Sequence, residues 1–183
     1  AMAGIFMLAA VVGFTPNSIA ILNGTKDNPP LLIHVHAAAM SVWMLLLLAQ
    51  SVLAGTGMMR LHMTLGLSSL VLAPLVALLI AVIALPAFLA PETPGAVVVL
   101  QSKRLLFFTG CVGAAIWLRR TAPEAHKRLM LIGTFAVLDA AFFRMGFLPK
   151  WGLDHLVSVA HVNMTFLLVP LVIHDIVRFG RIH

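Results

Sequence analysis

Charge is what this chain has least of. Asp, Glu, Lys and Arg make up 10% of its 183 residues and hydrophobic residues 61%, whereas an ordinary water-soluble domain carries roughly 25% charged residues. Too little charge is present to cover a soluble surface. Cysteine is nearly absent as well: Cys111 stands alone inside an apolar run, which excludes a disulfide framework and a cysteine-rich zinc site. Internal repeats and low-complexity segments are missing. No serine lies in a nucleophile elbow, so a serine triad has no support.

What the chain has instead is long apolar sequence. A helix needs about 20 mainly apolar residues to cross ~30 Å of hydrocarbon, and candidate spans run over residues 2–22, 31–55, 61–90, 97–118, 126–147 and 154–178. The expected fold is all-α, a single transmembrane domain over residues 1–183. It is an integral membrane bundle of about six helices, with the lipid bilayer as its principal partner. The run Ala3 to Val12 has the length of a signal-peptide core, but it lacks a basic lead and apolar character resumes at Ile19, so it reads as the first span.

The breaks are chemically legible. Asn23 to Pro30 is a polar turn whose prolines suit the start of the second helix. Gly55-Thr56-Gly57 closes that helix, and the later breaks are Pro91 to Gly95, Arg119 to Glu124 and Leu148 to Gly152. Pro16, Pro74, Pro86 and Pro170 fall inside spans, where neighbouring groups can satisfy the freed carbonyls. Lys103 and Arg104 make the fourth span the most polar and must snorkel toward the head groups.

The formal net charge is +6, yet the basic residues stand at the ends of apolar runs rather than on one solvent face. That distribution argues against nucleic acid and for a topological role. Alternating the spans puts seven basic residues on one face (Arg60, Arg119, Arg120, Lys127, Arg128, Arg178, Arg181) and five on the other (Lys26, Lys103, Arg104, Arg144, Lys150). The positive-inside rule makes the richer face cytoplasmic, with both termini there.

Eight histidines in so apolar a chain are the informative feature, because ionisable groups within spans are costly and face a partner or the bundle interior. On the outer side, His34 and His36 lie in the first turns of the second span, His155 opens the sixth, and His161 lies about 9 Å deeper by helical rise. Asp139 and Asn163 share a still deeper level. On the cytoplasmic side, His62 opens the third span, His126 the fifth, and His174 with Asp175 closes the sixth, with Gln50 at the depth of His62. His34 and His36 are ~200° apart on a helix, so one of them faces inward, and His36 is the better candidate. His183 has no assigned part.

Neutral imidazole ligates haem iron, zinc, copper and non-haem iron, usually with its second nitrogen oriented by a carboxylate or carbonyl. The outer layer supplies metal-ligand candidates His34, His36, His155 and His161, with Asp139 or Asn163 to orient them. His36, His161, His62, His126 and His174 are the candidates for holding haem b. The leading expectation is a redox protein that binds haem or a transition metal (iron, zinc or copper) and moves electrons, with a redox partner or a second copy of the chain as its expected partner. An alternative is a metal-dependent enzyme in which His36, His155 and His161 hold an activated water and Asp139 is the general base. Another is a cofactor-free assembly subunit whose polar residues join helices.

The run His34-Val35-His36 through Gln50, the segments Leu61-His62-Met63-Thr64-Leu65-Gly66 and Ala125-His126-Lys127-Arg128-Leu129-Met130-Leu131, and the end from Asp175 to His183 resemble a group of small multi-pass membrane proteins of bacteria. The likeness covers most of the chain from residue 31 onward. It implies a bacterial inner membrane as the location and carries no activity. In layout, histidines under both faces are similar to those of the diheme transmembrane cytochromes b of the ascorbate-reducible type. Ligands in those cytochromes lie several residues inside paired helices, whereas His62 and His126 stand at helix starts. The H-x-x-x-H and H-x-x-H-H clusters of membrane di-iron desaturases are absent.

Overall fold

The apolar stretches fold as helices. The computed structural model describes residues 2–180, with nothing said of the side chains of Leu171, His174, Asp175, Arg178 and Phe179. Its elements are α1 (Met2–Leu22), α2 (Leu31–Gly55), α3 (Met59–Gly66), α4 (Ser69–Leu89), α5 (Gly95–Leu118), α6 (Pro123–Phe135), α7 (Asp139–Phe142), α8 (Leu156–Thr165), a 3₁₀ turn over Phe166–Leu168, and α9 (Val169–Phe179). No strand occurs among the described residues. Four helices, α1, α2, α4 and α5, are long and apolar enough to cross a membrane. Their outward faces are apolar too, as with Trp117 at 80% exposure and Val71 at 73%, a surface that suits lipid and would be a liability in water.

Three of the six expected spans, the third, fifth and sixth, are divided. A single helix over residues 61–90 would be about 45 Å long, well beyond the hydrocarbon core. The chain breaks it between Gly66 and Ser69, where the Ser68 and Ser69 hydroxyls donate to the carbonyls of Leu65 and Gly66 at 2.7 and 2.6 Å. α3 is the short piece split off. In the fifth stretch, Thr134 turns its hydroxyl back onto the Met130 carbonyl at 2.9 Å, a bond that competes with the helical ladder. Turns then carry the chain from α6 to α7. In the sixth, Pro170 has no N–H for the helical ladder, and the chain tightens into the 3₁₀ turn before α9.

The contacts fall into two compact units: residues up to Asn28 with those from Leu138 on, and Pro29–Val137. In the first unit, Gly13 of α1 lies against the backbone of Ala141 in α7, so closely that a Cβ there would stand 2.5 Å from the Ala141 carbonyl oxygen. The Arg144 guanidinium lies over the Phe14 ring at 4.7 Å, a cation–π contact.

In the second unit, α4 packs on α2 and α5, and α6 packs on α5. Its centre is Trp43, 1% exposed, with its ring edge-on to Phe108 at 5.2 Å. The indole N–H donates to Thr134 Oγ1 at 3.1 Å, which satisfies the one polar atom of a buried tryptophan. Gly133 lets α6 approach α5, since a Cβ at that position would meet Val112 Cγ2 at 2.8 Å.

Candidate functional site

The two units hold different members of the expected outer layer. His34 and His36 belong to the second unit, and Asp139, His155, His161 and Asn163 to the first. Within the first, α7 opens with Asp139 and α8 carries His161. The Asp139 side chain is fully buried and its Oδ2 lies 3.8 Å from His161 Nε2. The other ring nitrogen, Nδ1, is 2.7 Å from the carbonyl of Val157, one turn back on α8. A carbonyl can only accept, so Nδ1 bears a hydrogen and Nε2 is left to face the carboxylate. Phe143 sits edge-on to the imidazole at 6.0 Å.

In this tautomer Nε2 and Oδ2 are both acceptor atoms, so a cation between them would be held by two ligands. The spacing also fits a metal: bonds of about 2.0–2.2 Å to each atom span such a gap at an open angle. Among the described residues no three His, Cys, Asp or Glu side chains form a metal-holding group. The pair would therefore supply two ligands and leave the remaining positions open.

Asn163, expected near Asp139 as an orienter, has a different duty. Its Nδ2 donates to the carbonyls of Pro149 and Val159 at 2.9 and 2.8 Å, and its Oδ1 accepts from the Trp151 indole at 3.2 Å. Trp151 has φ of 53°, a left-handed conformation costly for a bulky residue. Asn163 clamps this strained turn to α8. His155 is the exposed residue just before α8, with an extended backbone.

In the second unit, His34 is exposed and His36 half-buried, as their separation around the helix requires. His36 Nδ1 is buried with no hydrogen-bond partner. His62 and His126 are each the fourth residue of their helices, and each reaches back to the preceding long helix. His62 Nδ1 is 3.3 Å from the Gln50 carbonyl and His126 Nδ1 is 2.9 Å from the Ala115 carbonyl. Ala115 is in the last turn of α5, where carbonyls lack helical partners. The neighbouring Ile116 carbonyl takes the Arg119 guanidinium at 2.6 Å. These histidines close helix–turn–helix corners. The Gln50 side-chain amide is itself buried, with neither polar atom hydrogen-bonded. The side chain of His174, and all of His183, lie outside the described residues.

A further polar contact lies on α5, at a residue the sequence assigns only to the head-group boundary. Arg104, read as a snorkelling residue, donates from its guanidinium to Gln101 Oε1 at 3.1 Å. The signal available was the i, i+3 spacing of Gln and Arg in an otherwise apolar helix. No protein-family model, curated protein or solved structure matches the chain.

Proposed function

We propose that this is a histidine-bearing, multi-pass membrane protein that binds a transition-metal ion or haem and moves electrons, with Asp139 and His161 as its best-formed cation-binding element. One observation carries the reading: a fully buried carboxylate faces an imidazole nitrogen at 3.8 Å whose ring tautomer is fixed from behind by the Val157 carbonyl. When bound, iron or copper would supply a one-electron couple. The chain's own part is to fix the imidazole, keep the carboxylate away from bulk water and leave coordination positions open. His62 and His126, with Nδ1 directed to carbonyls, present Nε2 as the nitrogen that would hold a haem iron on the cytoplasmic side. The proposed topology is six crossings, the third, fifth and sixth of them broken, in a bacterial inner membrane with both termini cytoplasmic.

The test is metal analysis and an optical spectrum of the purified protein beside Asp139→Asn and His161→Ala. Iron, copper or zinc present in the parent should fall at least about tenfold in both variants, the usual minimum for losing a partner of a bound metal. A Soret band that shifts on reduction would identify haem. Equal metal and haem content in all three preparations would overturn the reading.

A further inference from the structure

The polar contact on α5 has a counterpart on α2. α3 returns alongside the end of α2, where His62 meets the Gln50 carbonyl. A Cβ on Gly66 would stand 3.7 Å from the Gln50 amide nitrogen, so α4 begins beside the end of α2 and packs back along it. Only residues 90–94 join α4 to α5, a reach of at most about 17 Å. That is too short to run back along the length of α4, about 31 Å for its 21 residues, so α5 reverses again. α2 and α5 therefore run in the same direction.

The contact of Trp43 with Phe108 at 5.2 Å sets their register. His36 stands seven residues before Trp43 and Gln101 seven before Phe108. Seven residues are almost two full turns, so both lie about 10 Å nearer the helix starts and on the same faces as the two aromatic rings. Arg104, half-buried, points its guanidinium back one turn to Gln101 and so reaches the level of His36. A guanidinium there repels a metal cation and attracts an anion.

We propose that His36, Gln101 and Arg104 form a binding site for a phosphate oxyanion, supplied by the head group of an anionic lipid. Arg104 offers a planar fork of donors suited to phosphate. Gln101 turns its carbonyl oxygen to Arg104 and so keeps its NH₂ as a donor. His36 brings a buried ring nitrogen that has no hydrogen-bond partner among the described residues, and an oxyanion would satisfy it. The second unit has only two carboxylates, Glu92 and Glu124, against seven Lys and Arg. Glu124 is held by Lys127 at 2.6 Å at the opposite end of α5. His36 is the sixth residue of α2, about 7–8 Å from its start, where a helix longer than the hydrocarbon core meets the head-group boundary. A lipid phosphate can reach that depth from the side.

The experiment uses the full chain in detergent, with phosphatidylglycerol, phosphatidylcholine or inorganic phosphate as probes. Native mass spectrometry reads retained lipid, and thermal stability reads all three. Phosphatidylglycerol should be retained in preference to phosphatidylcholine. That preference should fall about ten- to hundredfold, the range for losing a charge-assisted bond, in Arg104→Gln and in His36→Leu. Arg60→Gln should leave it intact, and Arg104→Lys should restore part of it. If inorganic phosphate displaces the lipid at millimolar concentration, the oxyanion site stands and its natural source is soluble. If Arg104→Gln fails to fold, Gln101→Leu and His36→Leu decide the matter, because neither changes a permanent charge. Equal retention of the two lipids, or retention unaffected by these variants, would overturn the proposal and leave Arg104 a snorkelling anchor.

Discussion

Gly13 and Ala141 meet backbone to backbone: a methyl group built on Gly13 would lie 2.5 Å from the Ala141 carbonyl oxygen and 2.8 Å from its Cα. No side chain lies between them to move aside. α7 is only four residues long and begins with Asp139, so this contact helps hold the carboxylate that faces His161.

Gly13→Ala should accordingly destabilise the protein by about 1–3 kcal/mol, the range for overpacking a tight contact. On the proposed function it should also weaken retention of metal by Asp139 and His161. Gly4, which has open space around it, is the control. Unfolding midpoints in a denaturing detergent, taken with metal content, measure both effects, and equal behaviour of Gly13→Ala and Gly4→Ala would refute the contact.

Trp43 and Thr134 form a buried donor–acceptor pair at 3.1 Å. Thr134→Val keeps the shape and orphans the indole N–H, which should cost about 1–3 kcal/mol. In Trp43→Phe the indole N–H is removed with part of the ring. Adding Thr134→Val to that variant should then cost less than it does alone. A double-mutant cycle with no coupling energy would show the bond contributes nothing.

His126 caps a carbonyl in the last turn of α5. Replacing it with Leu should lower stability by about 1 kcal/mol, the typical net value of one hydrogen bond. Metal bound at Asp139 and His161 should be unaffected. Asn at this position, with its shorter side chain, should recover little. His62, farther from its carbonyl at 3.3 Å, should show a smaller loss when replaced by Leu. The ordering of the two losses is read from unfolding curves, and the reverse order would contradict the capping geometry.

The proposed topology rests on the distribution of basic residues. Reporter fusions at Lys26 and after His183 should report opposite sides of the membrane, with His183 cytoplasmic. The same side for both would remove the six-crossing assignment, including the broken fifth and sixth crossings.

The sequence by itself determined the long unbroken helices and the apolar surroundings that suit them. The limits of α1 and α2 are those that apolar length and the Asn23–Pro30 break specify, because a crossing helix satisfies its backbone internally and needs only local sequence. The opposed positions of His34 and His36 follow equally from helical angle alone. Tertiary structure decided what the polar groups touch. Residues 126–147 carry an apolar run long enough for one helix, yet the chain breaks there as it passes from one packed unit to the other, and no count of apolar residues records that change of partner. Asn163 and Asp139 stand at similar depth in the sequence reading. Packing gives the first to the Trp151 turn and turns the second toward His161. The reason is that depth along a helix comes from residue number, whereas the neighbour a side chain meets depends on the rotation and separation of other helices, which no single segment encodes.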